Sequence, residues 1–579
     1  MSDIEKQLTI LKKQILGMPK STGKGFFYVF PIEAGLGKTE TLIHAMVEQY
    51  QSNPAIKSLI VTKLRNEGQR IADRINLDTG NNTALFLDET PENKYLKTKA
   101  KDYSVLIITH AKYLALNTGS PNMTTERIIT FTSKRTNLII DEDLNYIDII
   151  EFNKNIINEI LNTVGKTNDS KTTKRLHKIT SNWERLLNAN YINTQATVEY
   201  FSNPKVEEDV CELLDSIQKL HFSHGHFSGN RKIKSKSDLM DAIWIITKLF
   251  NRNIVLVGER IYFDNTTANQ FSLDNNIILD ATADMNSRYY LSSQYHVVRL
   301  KKIVDHNHWT LNWYNDNTSA NAKRNNPDYE DNIVKFIKAN FKGADKALVI
   351  TNKSEAEYFE QIFSHRRNIK FANFEKMKGV NTWRNFNKCF IIHTHTLPLP
   401  HYPITYMAIT GKTLTAQEMK LIRTKGSVGF INHQPTQTLM EDDIASSIYQ
   451  AIKRINRNNK QNAEIFLLCN REKVVNKVVA QLNNIQVVQH APTLKKRTYD
   501  ITNRQSEFGK RFIDILRDGL KKARSTGKDV EYRKKDLRTQ INCSVGNFSK
   551  LVLKQPTVIE FMNKHGIESI GQKIVICHK

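Results

Sequence analysis

Cysteine is scarce and scattered in this 579-residue chain: Cys211, Cys389, Cys469, Cys543 and Cys577 lie far apart, and none belongs to a C-x-x-C pair. That spacing argues against a disulfide framework or a zinc knuckle, and the five read as reduced thiols. Long apolar runs are missing as well. No stretch reaches the ~18 consecutive apolar residues of a membrane span, and the start, Met1-Ser2-Asp3-Ile4-Glu5-Lys6, has no apolar core like that of a secretory signal. The expectation is a cytoplasmic protein with no membrane partner. Internal repeats and long low-complexity tracts are absent too, so the chain reads as non-repetitive globular domains. Acidic charge is in deficit: 84 Lys+Arg stand against 59 Asp+Glu, a net +25. Such an excess calls for a polyanionic partner, of which nucleic acid is the commonest, although a merely Lys-rich soluble protein has the same balance.

With 40% apolar and 25% charged residues, the composition is globular, and the length suits three or four domains. Short Val/Ile/Leu/Phe blocks separated by helical stretches mark strands buried on both faces of parallel sheets. A first set runs through Phe26 to Phe30, Ser58 to Thr62, Val105 to Thr109, Asn137 to Ile140 and Ile277 to Leu279. A second comprises Ala347 to Ile350, Lys388 to Ile392, Tyr406 to Ile409 and Ala463 to Leu468, after a polar connection around Asn315 to Asp331. The fold class expected is α/β, with two such units in tandem. About 130 residues between the fourth and fifth strands of the first set break the rhythm; Asn155 to Val164, Thr173 to Leu187 and Asp238 to Phe250 have helical spacing, so a mostly helical insertion is expected.

Phe26-Phe27-Tyr28-Val29-Phe30 leads into Pro31-Ile32-Glu33-Ala34-Gly35-Leu36-Gly37-Lys38-Thr39 and then a helical run, Glu40 to Tyr50. A strand, a Gly-rich turn ending Gly-Lys-Thr and a helix suit a triphosphate. Gly35 and Gly37 let backbone N–H groups wrap the phosphates, Lys38 reaches the β and γ phosphates, and Thr39 ligates magnesium. The full G-x-x-x-x-G-K-[ST] pattern wants Gly where Ile32 stands. A later apolar strand delivers Asp141-Glu142-Asp143 at its C-terminal edge, where Asp141 can hold magnesium and Glu142 can polarise an attacking water. ATP and Mg2+ are the expected cofactors.

In order, these two elements resemble motifs I and II of the superfamily 2 helicases, over roughly residues 25 to 490. Ile60-Val61-Thr62-Lys63 is similar to the strand end that contacts a nucleic-acid backbone, and Ile108-Thr109-His110 to the Thr-His pair before motif II. Asp280-Ala281-Thr282-Ala283 stands where Ser-Ala-Thr is usual. Val349-Ile350-Thr351-Asn352 is similar to motif IV, and Lys378-Gly379-Val380-Asn381 to motif V. Gln450-Ala451-Ile452-Lys453-Arg454-Ile455-Asn456-Arg457 is similar to Q-x-x-G-R-x-x-R of motif VI, with Lys453 in place of Gly. The spacing of Arg454 and Arg457 predicts one face of a helix.

The resemblance implies two RecA-like domains, with Gly35, Gly37, Lys38, Thr39, Asp141 and Gly379 on the nucleotide and Glu142, Gln450, Arg454 and Arg457 in catalysis, the arginines as fingers on the γ-phosphate. Thr62, Thr109, His110, Thr351 and Asn381 would then touch nucleic acid. A large insertion after motif II, and Leu397-Pro398-Leu399-Pro400 after motif V, are similar to the iron–sulfur repair helicases that move 5′ to 3′. That branch carries four cysteines between motifs I and II; this chain has none there.

Two further segments stand out. His221, His224 and His226, with Cys211 upstream, could bind zinc, but no second pair completes a tetrahedral set, and a polar and aromatic loop is preferred. Lys495 to Arg538 holds 15 Lys/Arg and 7 Asp/Glu. Helices over Asn503 to Arg524, Arg533 to Ile541, Val545 to Leu553 and Pro556 to His565, then a strand over Gln572 to Cys577, make a winged-helix-like order, with Lys550 and Lys554 as candidate DNA contacts. A bundle packed on the motor is the alternative.

The domain layout expected is 1–150 with 265–300, an insertion over 151–264, a second α/β domain over 301–493 and a basic C-terminal domain over 494–579. The activity expected is an ATP-dependent helicase acting on single-stranded and forked or duplex DNA, in replication or repair of a mobile element. RNA stays open as a substrate, and replication or repair proteins are further partners. An ATP-switched replication initiator and a duplex translocase that remodels nucleoprotein are the competing readings.

Overall fold

The computed structural model describes residues 2–17, 25–88, 90, 95–117, 125–144, 147–189, 196–227, 232–264, 271–319, 322–323, 326, 328–374, 377, 382–422, 429–494, 507–541, 543–544 and 548–578. The chain forms two compact units, Met1–Leu494 and Lys495–Lys579. All counts below refer to the described residues.

The first unit begins with β1 (Phe27–Val29), β2 (Lys57–Thr62), β3 (Ala84–Phe86), β4 (Val105–Thr109) and β5 (Arg135–Asp141). An insertion follows with β6 (Ile149–Asn153), β7 (Thr197–Tyr200), β8 (Asn253–Val257) and β9 (Arg260–Asp264), after which β10 (Asn275–Leu279) and β11 (Tyr295–Val297) return to the first sheet. That sheet is parallel, in the order β11-β1-β10-β5-β2-β4-β3. Its strands alternate between two cores, as a period of two dictates. Leu59, Val61, Leu106, Ile108, Leu138 and Ile140 face one layer, and Ile60, Ile107, Ile139 and Ile277 the other.

A second parallel sheet consists of β12 (Trp309–Tyr314), β13 (Ala347–Thr351), β14 (Ile369–Asn373), β15 (Lys388–Ile391), β18 (Ala463–Leu468) and β19 (Gln486–His490), in the order β14-β13-β15-β18-β12-β19. A short antiparallel pair, β16 (Leu421–Ile422) with β17 (Phe430–Ile431), lies between β15 and β18 in the chain. The two large sheets are RecA-like domains, so the expected α/β class with tandem parallel sheets is what the chain adopts.

The strand expected over Tyr406 to Ile409 is instead part of the helix His401–Thr410, which follows Pro400 and ends on Gly411 at φ 69°. Tyr402, Ile404, Tyr406 and Met407 are all buried, because one side of this helix meets β9 and another meets the helix Gln434–Ile452. A helix covered from several sides is apolar nearly all round, and a short apolar run cannot tell such a helix from a buried strand.

The insertion contains the helices Lys154–Gly165, Ser170–Ala189, Val206–Lys219 and Lys236–Thr247, and also an antiparallel sheet, β6-β9-β8-β7. Ile254, Leu256, Ile261 and Phe263 pack on the insertion's own helices. Val255 and Tyr262, on the opposite face, join the core of the second RecA-like domain. A mostly helical insertion therefore omits the sheet by which it rests on that domain.

The second unit contains the helix Glu507–Thr526, β20 (Val530–Arg533), the helices Lys534–Gln540 and Pro556–Lys564, and a hairpin of β21 (Ile567–Ile570) and β22 (Lys573–Ile576), with β22 central in a three-stranded antiparallel sheet. Ser549–Leu553 is a π-helical turn. Gly519 lets the long helix approach the sheet: a Cβ there would lie 2.5 Å from Ile576 Cδ1. Residues 503–506 and 545–547, included in the expected helices, lie outside the described residues.

Candidate active site

The loops after β1, β2, β4, β5 and β10 bring the candidate residues together at the C-terminal edge of the first sheet. After β1 the chain turns through Gly35 and Gly37, both at φ 89°, and Gly37 precedes the helix Lys38–Ser52. Left-handed backbone at two positions is the physical need for those glycines. Lys38 is half-buried, and its Nζ donates to the carbonyls of Ile32 (2.7 Å) and Glu33 (3.5 Å). Burial lowers its pKa, against the pull of Asp141, Asp280 and Glu142. Thr39 Oγ1 stands 3.5 Å from Asp141 Oδ2. Burial, and then the neighbouring Glu142, push the Asp141 carboxyl up to about 7. A buried carboxylate with a hydroxyl beside it and an ammonium nearby suits a divalent cation on a phosphate, which would restore the charged form.

Glu142 adopts φ 68°, and its N–H donates to Leu279 O at 3.1 Å. Burial raises its pKa, but Lys63 and Arg454 more than offset this, so the carboxyl stays below its ordinary value. Lys63 Nζ lies 3.4 Å from Glu142 Oε2. Asp143 receives both Arg288 Nη2 contacts, at 2.8 and 2.6 Å, and Tyr289 OH at 3.3 Å.

Asp280, where the family pattern has Ser, accepts from the Thr282 N–H and hydroxyl at 2.8 and 2.7 Å and from Tyr289 OH at 3.0 Å. Burial and the nearby Asp143 raise it to about 6. The next turn connects the domains: Ser287 N–H donates to Asp442 Oδ2 at 2.9 Å, and Asp442 also pairs with Lys477.

The second domain reaches this edge through the end of the helix Gln434–Ile452. Arg454 and Arg457 lie in the turn after it, not on the helix: Lys453 is its C-cap and Asn456 takes φ 39°. The turn is fixed by Asn456 N–H on Phe386 O and Arg457 N–H on Arg384 O, both 3.0 Å. A Cβ on Gly35 would meet the Arg457 carbonyl at 3.6 Å. Burial lowers the pKa of both arginines, with Glu142 pulling the other way. Gln450 is half-buried on the last turn of the helix.

The sequence did not single out Glu33, Arg288 or the Lys453–His306 pair. Glu33, 1% exposed, accepts from the backbone of Ile303 (2.7 Å) and Val304 (3.1 Å) in the interdomain connection. Lys453 Nζ donates to the fully buried His306 Nε2 at 3.0 Å and stands over the Trp309 ring. Burial, and then Lys453, depress His306 to about 3, while burial lowers Lys453 to about 8. An acid inside a phosphate-loop motif was the one visible signal; the others are juxtapositions over more than a hundred residues.

The candidate nucleic-acid residues are arranged differently. Thr62 is buried with its hydroxyl on Leu64 O at 3.3 Å, and Thr351 is buried on Glu355. Thr109 caps the helix His110–Leu116 by accepting from Lys112 N–H, and His110, also buried, places Nε2 2.8 Å from Asp141 O. These contacts tie the loops to the sheet edge and to Asp141. Gly379 and Asn381 lie outside the described residues, as does the side chain of Lys550; Lys554 is exposed. His226 Nδ1 meets Ser223 Oγ at 2.7 Å and Phe222 stacks on Phe227, and among the described residues no cluster of three His, Cys, Asp or Glu is arranged for a metal ion. Among them, too, no helix is long and apolar enough to cross a membrane.

Among solved structures the chain is similar to S. tokodaii Xpd4, with a TM-score of 0.50 at 10% identity, over 84% of this chain and 99% of that one. The likeness is one of fold, two RecA-like domains in tandem. Less similar are S. cerevisiae Dbp5 bound to RNA and ADP BeF3 (TM-score 0.36, 11% identity, 85% of this chain and 94% of that one) and DEAD-box helicase Mss116 bound to ssRNA and UDP-BeF (0.32, 10%, 98% and 93%). No family model and no curated protein sequence matches the chain.

Proposed function

We propose that the chain is an ATP-dependent nucleic-acid helicase that couples ATP hydrolysis to translocation and strand separation. The observation that carries this reading is the meeting of Lys38, Thr39, Asp141 and Glu142 from one RecA-like domain with Arg454 and Arg457 from the other. Gly35, Gly37 and Lys38 bind the phosphates; Lys38 exchanges the Ile32 carbonyl for them. Thr39 and Asp141 would hold a magnesium ion, whose charge would steady the phosphates. Glu142 accepts the proton of the attacking water, and Arg454 and Arg457 stabilise charge as the bond to the leaving phosphate breaks. The tie from Asp143 through Arg288, and from Ser287 through Asp442, transmits closure between domains.

The substrate proposed is DNA, in replication or repair, bound along the sheet edges through its backbone. Residues 495–579 are read as a duplex-binding winged helix, supported by their small antiparallel sheet and basic helices. Their removal should spare single-strand-stimulated ATPase while weakening duplex binding, with a salt slope flattened by about 0.9 per lost phosphate contact. The function is tested by strand displacement on DNA and RNA duplexes with 5′ tails, 3′ tails and no tail, using the full chain and Lys38→Ala. ATP-dependent displacement of a tailed substrate by the wild type alone supports the reading. ATP hydrolysis without displacement on any substrate overturns it.

A further inference from the structure

Lys63 and Glu142 directly follow adjacent strands of one sheet, β2 and β5, and so emerge side by side at its C-terminal edge. The ammonium lies 3.4 Å from Glu142 Oε2, and the two side chains retain 23% and 38% of their exposure. Glu142 holds left-handed backbone, an uncommon conformation for a residue with a Cβ, and that turn aims its carboxylate at Lys63. His110 fixes the preceding carbonyl at 2.8 Å, so the side chain has more freedom than the backbone that carries it.

A carboxylate held by an ammonium is kept in one place, with the engaged oxygen turned away from other partners, a water among them. A lysine is a point charge on a flexible stem, able to exchange one oxyanion for another with little reorganisation. Phosphate is the oxyanion that a strand crossing this edge would present.

We propose that Lys63 is the positioning residue that links strand binding to hydrolysis: without nucleic acid it restrains the Glu142 carboxylate, and a strand phosphate that takes Lys63 releases it. The inference rests on the reading of Glu142 as the water-activating residue of an ATP-driven motor. It adds a specific restraint, and a reason for idle turnover to be slow. Arg454 and Arg457 also face Glu142, but from the second domain, and so answer to closure rather than to the strand.

The test uses the full chain with Lys63→Gln and Lys63→Arg, measuring ATP hydrolysis with and without a single-stranded DNA oligonucleotide, and oligonucleotide affinity against salt. A partly exposed pair of this kind restrains by up to about fivefold. Lys63→Gln should raise the unstimulated kcat by up to about that factor with KM for ATP unchanged, lower the stimulation ratio, and reduce the salt slope by about 0.7 for the one lost contact. Lys63→Arg should stay near the wild type. An unstimulated kcat that is unchanged or lower in Lys63→Gln overturns the inference, whether or not the salt slope falls. A wild-type chain that hydrolyses no ATP under any condition overturns the motor reading itself, an outcome distinct from a stimulated wild type that Lys63→Gln leaves unaltered.

Discussion

Replacing Glu33 by Ala removes a carboxylate that ties the phosphate loop to the connection between the two RecA-like domains. One oxygen receives two backbone donors, Ile303 N–H at 2.7 Å and Val304 N–H at 3.1 Å, in a site where Glu33 is 1% exposed. A hydrogen bond to a charged group contributes about 1.5–3 kcal/mol, and two bonds sharing one acceptor are not additive. Oε1 is buried with no hydrogen-bond partner among the described residues, which lowers the net loss. The expected cost of Glu33→Ala is therefore about 3 kcal/mol, and that of Glu33→Gln, which keeps an acceptor oxygen, about 1 kcal/mol. Hydrogen exchange reads this locally. The amides of Ile303 and Val304 should exchange about a hundredfold faster in Glu33→Ala and about fivefold faster in Glu33→Gln, since each 1.4 kcal/mol is a factor of ten. Unchanged protection of those two amides in Glu33→Ala would refute the assignment of Glu33 as their anchor.

Glu142→Gln should retain ATP binding, measured by nucleotide titration, and turn over about 10²-fold or more slowly, because an amide does not accept the water's proton. Arg454→Ala should lower kcat by about 10²-fold or more with a much smaller change in ATP affinity, since its charge matters most as the leaving phosphate gains charge. His306 titrates at about 3 in the folded chain against its ordinary 6.5. Between those values the unfolded chain binds the extra proton, so stability present above pH 6.5 is lost as pH falls toward 3, by up to about 5 kcal/mol from this residue. His306→Gln should flatten that acid limb in urea midpoints measured across pH 3–7.

Much of the sheet framework was legible because strands buried on both faces leave uninterrupted apolar blocks: Ser58 to Thr62, Val105 to Thr109 and Ala463 to Leu468 all lie in parallel strands. Edge strands leave weaker traces. β3 and β11 have three residues each, and β19, Gln486–His490, is largely exposed. The insertion's sheet was hidden by its surroundings, since β8 and β9 face two different cores and resemble the flanking apolar helices in composition. At the site, the phosphate loop and the acidic strand end were readable because both are contiguous in sequence. The geometry around Arg454 and Arg457 was not: their spacing suits a helix, yet the chain leaves the helix at Lys453, where backbone contacts to Arg384 and Phe386 define a turn. Arg288 on Asp143 and Lys63 on Glu142 join segments 145 and 79 residues apart, and no local pattern encodes such pairs.

We propose one ATP site that is built from both RecA-like domains and serves nucleic acid. Steady-state ATP hydrolysis by the full chain, with and without single-stranded DNA, tests it most directly when the wild type is compared with Lys38→Ala and Arg454→Ala. Hydrolysis that rises with the strand in the wild type, is abolished by Lys38→Ala and falls about 10²-fold or more in Arg454→Ala is the expected result. Strand-independent hydrolysis that survives Arg454→Ala at the wild-type rate would contradict the claim.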